Sequence, residues 1–261
     1  MNIIIGGALG RMGRELAKAA AEAGVEIVCG VDVAYSDQAC DFPMVTDYAR
    51  IDRVADALVD FSHPSGLPHL LAYGVRTGTP LVLCTTGYDD ADLDAIRKAA
   101  ERVPILRSAN MSLGISVLQE LSALAARALG EGYDVEIVEK HHRQKLDSPS
   151  GTALMLYETV RAARGGEPEA VFGRHGRSAK RTQAEIGIHA VRGGTVTGEH
   201  EVGFYGRSEE IILTHRAESR ALLAEGALRA ARFLAGKPCG LYAMGDVVRE
   251  MLRGEPAANE R

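Results

Sequence analysis

The first 110 residues alternate short runs of aliphatic and β-branched residues with longer segments in which apolar residues recur at helical spacing. The short runs predict strands at Asn2–Ile5, Glu26–Val31, Ala57–Phe61, Pro80–Cys84 and Pro104–Arg107. The longer segments predict helices at Arg11–Ala23, Gly66–Thr77 and Ala91–Arg102. This alternation is typical of a parallel sheet covered by helices.

The pattern changes in the second half of the chain. Helices are predicted at Met111–Leu129, Gly151–Arg164 and Leu222–Leu234, and a strand is predicted at Tyr133–His141. The first of these helices places Leu113, Val117, Leu121 and Leu124 on one stripe. Three strand-like runs within Glu185–His215 follow one another without helices between them, which predicts a second, open sheet. We therefore expect an α/β domain at residues 1–111, completed by 220–261, and an α+β domain at 112–219.

A glycine-rich turn, GALGRMG at Gly7–Gly13, lies between the first predicted strand and the first predicted helix. Glycines at such a turn let the backbone approach a pyrophosphate, whose charge then faces the helix N-terminus. Asp32 ends the second predicted strand, where an acid hydrogen-bonds a ribose hydroxyl of a dinucleotide. Asp32 favours a free 2′-hydroxyl, as in NADH, but Arg11 could meet the 2′-phosphate of NADPH. A tight turn that binds nothing is the alternative.

Two short loops end further predicted strands. CTTG spans Cys84–Gly87 and SANM spans Ser108–Met111. Ligands of open α/β sheets lie beyond the carboxyl ends of the strands, so we expect these loops beside a nicotinamide and its ribose. We interpret Cys84 as a small side chain in the pocket and not as a nucleophile, because no histidine is near it in the sequence.

The stretch EKHHRQKLDSPSGTA at 139–153 carries the other candidate chemistry. His141 and His142 close a strand, so we expect their side chains on opposite faces. An unperturbed histidine can donate a proton near neutral pH, and Lys145 adds a flexible cation or a second proton. A solvated basic turn is the alternative. A metal site is not predicted, because no cysteine, glutamate or third histidine stands at ligand spacing.

The same stretch predicts a helix start. Ser148 or Ser150 can cap the helix, and Pro149 suits its first turn. The backbone amides around Gly151 and Thr152 then face outward and predict a carboxylate site.

Composition excludes other classes of protein. The 261 residues are 46% hydrophobic and 25% charged, which is ordinary for a globular protein with a core. The formal charge of −5 provides no basic field for nucleic acid, and no apolar run approaches the roughly 20 residues of a membrane span. The first residues enter a strand pattern at once, without the pattern of a signal peptide. The four scattered cysteines predict reduced thiols in a cytoplasmic protein.

One basic run, GRHGRSAKR at 173–181, is broken by glycines. It predicts an exposed loop that could fold over an anionic substrate, and no catalytic role is assigned to it.

Taken together, these motifs resemble the 4-hydroxy-tetrahydrodipicolinate reductase family (formerly dihydrodipicolinate reductase) of diaminopimelate and lysine biosynthesis. The matching segments are GALGRMG, the aspartate that ends the second strand, VDFSHP, CTTG, SANMSLG, EKHHRQKLDSPSGTAL, GEHEVGF, HRAESR and GLYAMGDVV. The stretch at 139–153 is the most specific of these.

The resemblance implies a Rossmann-type dinucleotide-binding domain, a central α+β domain with an open mixed sheet that binds substrate, and a homotetramer. It implies reduction of a cyclic imine dicarboxylate by NADH or NADPH. The implied cofactor contacts are Gly7, Ala8, Leu9, Gly10, Arg11, Met12, Gly13, Asp32, Cys84, Thr85, Thr86, Ser108, Ala109, Asn110 and Met111. His141 matches the proton donor, Lys145 the second donor, and His142, Lys145, Gly151 and Thr152 match substrate contacts.

Two residues depart from the family pattern. CTTG replaces the more usual GTTG, and Val33 stands where some members carry a basic residue for the 2′-phosphate. The alternatives are a different Rossmann-type dehydrogenase acting on a sugar or amino acid, or a non-catalytic NAD(P)H sensor. The Glu139-Lys140-His141 strand end argues against a sugar dehydrogenase, which often carries Glu-Lys-Pro there.

Overall fold

The computed structural model describes residues 1–177 and 179–254. The chain forms two compact units, Met1–Leu113 with Ala221–Arg261 (unit 1) and Gly114–Arg220 (unit 2). The sequence-based boundaries were placed after residues 111 and 219. Residues 255–261, which were also assigned to the first domain, and Ser178 of the basic run lie outside the described residues.

The described strands, in chain order, are β1 (Asn2–Gly6), β2 (Glu26–Val31), β3 (Met44–Val45), β4 (Ala57–Asp60), β5 (Leu81–Leu83), β6 (Pro104–Arg107), β7 (Asp134–His141), β8 (Glu169–Phe172), β9 (Glu185–Arg192), β10 (Gly198–Tyr205), β11 (Glu210–Ala217) and β12 (Gly240–Tyr242). The described α-helices are α1 (Arg11–Glu22), α2 (Leu67–Thr77), α3 (Asp90–Ala100), α4 (Leu113–Leu129), α5 (Gly151–Arg164), α6 (Ala221–Leu234) and α7 (Met244–Leu252).

Unit 1 is built on a seven-stranded sheet in the order β12-β6-β5-β4-β1-β2-β3. All of its strand pairs are parallel. Alternate residues of β1 enter different cores: Ile3 and Ile5 pack with α1 and α6, whereas Ile4 packs with α2 and α3. The strand order reverses between β1 and β4, and such a reversal opens a ligand crevice at the carboxyl ends of the strands.

Unit 2 is built on a five-stranded sheet in the order β11-β10-β7-β9-β8. Strands β7, β9 and β8 pair in parallel, while β10 is antiparallel to both β7 and β11. One apolar core packs α4 and α5 against this sheet, including Ile137 and Val202 from the strands and Leu156 from α5. The predicted fold class, a Rossmann-type α/β domain plus an α+β domain with an open mixed sheet, is confirmed.

Helix α4 packs against this core through a different face from the leucine stripe that the sequence predicts. Val117, Leu121 and Leu124 are 39%, 46% and 57% exposed, whereas Ile115 and Leu118 are buried. The helix carries apolar residues on two faces, and the face with Ile115 and Leu118 packs in the core of unit 2.

Among the described strands and α-helices, four were not predicted: β3, β8, β12 and α7. The first three have two to four residues, too few for a periodic pattern. Strands β3 and β8 pair with their neighbours along the chain, β2 and β9, whereas β12 pairs with the distant β6. No helix within residues 1–177 and 179–254 is long and apolar enough to cross a membrane.

Candidate active site

The glycine turn of unit 1 is closely packed between β1 and α1. A Cβ on Gly13 would lie 2.2 Å from the Gly7 carbonyl oxygen, and Gly7 itself has a φ of +70°. Helix α1 follows with Gly10 at its N-cap, where no side chain caps the helix, and without an acidic residue in its first turn. Because these amides are left for an external anion, the turn fits a dinucleotide pyrophosphate.

The carboxylate of Asp32 stabilises this turn through a hydrogen bond. Its Oδ2 accepts a hydrogen bond from the Leu9 amide at 2.9 Å, and its Oδ1 accepts one from the Ala34 amide at 2.9 Å. Each carboxylate oxygen has a second lone pair, so the acid can still accept from a ribose hydroxyl. The next residue, Val33, is 90% exposed and places no cation beside the acid.

The CTTG and SANM loops follow β5 and β6 in unit 1. Ser108 donates to the Asn110 carbonyl oxygen at 2.7 Å, which folds the second loop on itself. Burial raises the pKa of the Cys84 thiol well above its usual value. A thiol that stays protonated is a poor nucleophile, in agreement with a pocket-lining role.

A buried carboxylate that the sequence reasoning missed supports the first of these loops. Asp60, at the end of β4, accepts from the Thr85 hydroxyl at 2.7 Å and from the Tyr48 hydroxyl at 2.8 Å. A Cβ on Gly6 would lie 2.3 Å from Asp60 Oδ1, so β1 needs a glycine there. The signal was present in the VDFSHP segment, where an acid ends an apolar strand.

In unit 2, β7 carries Glu139 and His141 on its buried side. The Glu139 side chain is fully buried, and its Oε2 accepts from His141 Nδ1 at 2.6 Å. The same carboxylate accepts two hydrogen bonds from the Arg192 guanidinium at 2.7 Å each and one from the Ser150 amide at 2.9 Å. A carboxylate with four donors holds the imidazole ring in a defined orientation.

These contacts set the charges of the pair. Burial acts to raise the pKa of the Glu139 carboxyl, but the hydrogen bonds from Arg192, His141 and the Ser150 amide outweigh it, and that pKa is lowered. Burial lowers the pKa of His141, although Glu139 acts to raise it. Near neutral pH the pair is therefore a carboxylate and a neutral imidazole that donates from Nδ1, which leaves Nε2 as the nitrogen that exchanges protons.

A second buried histidine lies beside the first. The rings of His141 and His200 meet edge to face with centroids 5.1 Å apart. His200 Nε2 lies 3.1 Å from the Ser150 hydroxyl, and burial lowers the pKa of His200 to about 4. His200 is thus uncharged at neutral pH. It was not predicted, because it comes from β10, far along the chain.

The loop after β7 brings the predicted substrate residues of unit 2 together. Lys145 Nζ lies 2.9 Å from Asp147 Oδ1. Ser150, and not Ser148, caps α5 by accepting from the Ala153 amide at 3.1 Å, so Gly151 and Thr152 begin the helix. His142 directly follows β7 and is partly exposed.

The basic run at 173–181 is engaged by acids of unit 2. Arg174 pairs with Glu185 and Glu136, and Arg181 Nη1 lies 2.7 Å from Asp134 Oδ1. Arg181 also contacts Glu136 at 3.0 Å. These two arginines pair with acids in the first residues of β7 and β9 and are therefore not free cations for a substrate.

The predicted cofactor residues thus all lie in unit 1, and the predicted catalytic and substrate residues all lie in unit 2. Within unit 2, sequence reasoning found His141 and Lys145 but assigned no role to Glu139 or Arg192. Glu139 lies two residues before His141 in the quoted stretch, which is the spacing that puts two strand residues on one face.

Comparisons with known proteins agree along the chain. Sequence profiles described as dihydrodipicolinate reductase, N-terminus, and dihydrodipicolinate reductase, C-terminus, match residues 1–111 and 114–248. The 4-hydroxy-tetrahydrodipicolinate reductase of Caldanaerobacter subterraneus subsp. tengcongensis is 44% identical over 251 residues, which cover 96% of this chain and 99% of that protein. The Clostridium tetani protein of that name is 44% identical over 245 residues, covering 94% and 95%.

Solved structures show the same fold. A dipicolinate-bound dihydrodipicolinate reductase from Paenisporosarcina sp. TG-14 superposes with a TM-score of 0.77 at 22% identity and covers 93% of this chain and 97% of that one. A probable dehydrogenase from Thermotoga maritima has a TM-score of 0.61 at 11% identity, covering 99% and 90%. The solved structures show the fold alone, whereas the two sequence profiles and the relatives at 44% identity match nearly the whole chain. The chain therefore belongs to the dihydrodipicolinate reductase family.

Proposed function

We propose that this chain reduces 4-hydroxy-tetrahydrodipicolinate to tetrahydrodipicolinate with NADH or NADPH, a step of diaminopimelate and lysine biosynthesis. The relatives that share 44% identity along nearly the whole chain are reductases of that name. The observation that carries the proposal is the stretch 139–153, which joins a carboxylate-held histidine, a lysine and a helix start in one unit.

The substrate is a small cyclic imine with two carboxylates, so its site needs cations and outward-facing amides. We assign this task to His142, Lys145 and the first residues of α5, Gly151 and Thr152. Charge-assisted hydrogen bonds of about 1.5–3 kcal/mol each would hold the ring and fix its orientation. In the same loop, Asp147 already pairs with Lys145, so a substrate carboxylate has to compete for that ammonium.

His141 is the proposed proton donor, through Nε2. After reduction the electron-rich ring must take up a proton, and a placed acid contributes about 10²–10⁴-fold to such a step. A histidine with a lowered pKa is a stronger acid once protonated, and here the lowering comes from burial. Lys145 is the proposed second donor.

The bound NADH or NADPH supplies the hydride. The glycine turn would hold its pyrophosphate, Asp32 its ribose, and Thr85, Thr86 and Ser108–Met111 would line the nicotinamide side. Asp32 followed by Val33 favours a cofactor with a free 2′-hydroxyl, so we expect NADH to serve at least as well as NADPH.

We further propose that the protein is a homotetramer of the cytoplasm. Val117, Leu121 and Leu124 form an exposed apolar row on α4, and a row of this kind is typical of a surface that other subunits cover. All four cysteines are free thiols, as expected in a reducing compartment. Light scattering of the purified protein measures the assembly.

The function is tested by following NADH and NADPH oxidation separately, with substrate generated in place from pyruvate and aspartate semialdehyde by its synthase. We expect rapid oxidation that requires the synthase. Protein that binds NADH but oxidises neither cofactor under these conditions would contradict the reductase assignment and favour an NAD(P)H sensor.

A further inference from the structure

We propose that Glu139 and Arg192 form a positioning pair that fixes the Nδ1–H tautomer of His141 and sets how readily its Nε2 gives up a proton. This inference rests on the proposed function, in which His141 is the donor. Neither residue needs to touch the substrate, because both act through the imidazole.

The geometry gives each member of the pair a distinct task. Glu139 accepts from His141 Nδ1 at 2.6 Å, which holds a hydrogen on that nitrogen and leaves Nε2 on the side of Gly198. Arg192 donates one hydrogen bond to each oxygen of Glu139, both at 2.7 Å, and also donates to the Asp147 carbonyl oxygen at 2.7 Å. The arginine thus fixes the carboxylate and ties it to the loop that carries Lys145.

The surroundings of Nε2 fit this assignment. A Cβ on Gly198 would lie 3.1 Å from His141 Nε2, so any other residue there would crowd that nitrogen. The neutral imidazole first takes up a proton from solvent at Nε2. When the imidazolium then donates, the Nε2–H bond breaks, the electron pair stays on Nε2, and the other hydrogen remains on Nδ1, hydrogen-bonded to Glu139. The carboxylate stays ionised throughout.

The two charges of the pair act on His141 in opposite directions. The carboxylate of Glu139 favours the imidazolium, and the guanidinium of Arg192 disfavours it and also neutralises part of the carboxylate charge. The charged or titratable groups that face His141 from the surrounding elements are Glu139 on β7, Arg192 on β9, His200 on β10 and Lys145 in the following loop. His200 is uncharged near neutral pH, so Glu139 is opposed by two cations: Lys145, which is shared with Asp147, and Arg192, which has the smaller effect on His141 but contacts Glu139 directly.

Because the two charges act on the His141 pKa in opposite directions, replacing each residue in turn distinguishes this positioning role from a purely structural one. The pKa of His141 is measured in the free protein by hydrogen–deuterium exchange at the histidine ring carbon, followed by mass spectrometry across pH. A His142→Gln background leaves one histidine in the analysed peptide. We expect Glu139→Gln to lower the pKa of His141 by about one unit and Arg192→Gln to raise it by a smaller amount.

Two further variants keep the test decisive. Each single substitution leaves one buried partner unpaired, so the double variant Glu139→Gln/Arg192→Gln, without an uncompensated charge, serves if a single variant does not fold. Its His141 should titrate below the unsubstituted pair but above Glu139→Gln, because the direct contact outweighs the more distant charge. Lys140→Gln is the matched control: Lys140 pairs with Glu199 at 2.6 Å, and its side chain is on the other face of β7.

The proposal is overturned if the two single variants shift the pKa in the same direction, if Arg192→Gln leaves it unchanged, or if Lys140→Gln shifts it equally. The titration needs no substrate, so it remains interpretable if the unsubstituted chain fails to oxidise NADH with the synthase-generated imine. In active protein, the alkaline limb of the pH–rate profile, where the donor loses its proton, should move with the measured pKa in each variant.

Discussion

The ammonium of Lys145 lies 2.9 Å from the carboxylate of Asp147, two residues further along the same loop. The hydrogen bond from Lys145 is the largest of the influences that lower the pKa of Asp147. The lysine proposed to bind a substrate carboxylate is therefore engaged by a carboxylate of its own chain, and the two must compete.

Asp147→Asn removes this competing charge while it keeps a hydrogen-bond acceptor of the same shape. We expect KM for the imine to fall about fivefold, since a partly exposed ion pair contributes up to about 1 kcal/mol. Steady-state kinetics measure it, with Asp94→Asn, which breaks the exposed pair with Arg97, as control. A raised KM would mean that Asp147 holds the loop in shape and does not compete.

Gly13→Ala tests whether the glycine turn of unit 1 binds the cofactor. The added Cβ would lie 2.2 Å from the Gly7 carbonyl oxygen, so the turn must open to admit it. We expect the Kd for NADH, measured by fluorescence, to rise roughly tenfold, which corresponds to about 1.4 kcal/mol. Gly132→Ala, whose Cβ would meet no atom within 4 Å, should bind NADH normally. Unchanged binding by Gly13→Ala would place the pyrophosphate elsewhere.

Val33→Arg tests the basis of cofactor choice. Val33 is 90% exposed, so the longer side chain fits without repacking and can reach a 2′-phosphate. We expect the ratio of kcat/KM for NADPH to that for NADH to rise about tenfold, as one charge-assisted hydrogen bond allows. Val54→Arg adds the same charge at a position that is 84% exposed and should leave the ratio unchanged. An unchanged ratio in Val33→Arg would show that the 2′-position lies beyond its reach.

The buried His200 predicts a loss of stability in mild acid. Its pKa is lowered from 6.5 to about 4 by burial, so between these values the unfolded chain binds a proton that the folded chain does not. Stability is complete above about pH 6.5 and falls as the pH drops toward 4, by about 3 kcal/mol.

Urea unfolding at pH 7 and pH 4 checks this prediction. His200→Gln should lose less stability between these two pH values than the unsubstituted chain does. The exposed His69→Gln serves as control and should retain the full loss. An equal loss in His200→Gln would assign the acid sensitivity to other groups.

The sequence predicted most of the elements whose signals are local. Helix α5 begins and ends at the predicted residues, because Ser150 caps its first turn and Gly165, with a φ of +78°, ends it. The glycine turn was also predicted, because its signal is a short sequence motif between a strand and a helix.

What depends on contacts between distant residues could not be read from the sequence. The pairing of Glu139 with Arg192 joins residues 53 apart along the chain. Strand β12 has only three residues and gains its pairing from β6, more than a hundred residues earlier. The leucine row of α4 was visible, but the sequence does not show which of the two apolar faces meets the core of unit 2, where Ile115 and Leu118 are buried.

His141 is the residue proposed to protonate the reduced substrate, and the His141→Gln variant removes that proton donor. Synthase-dependent NADH oxidation and the Kd for NADH are measured on the same preparation. We predict that turnover falls by about 10²-fold or more while the Kd for NADH is unchanged, because the histidine serves proton transfer and not the binding of the cofactor. Undiminished turnover would remove His141 from the reaction and contradict the account.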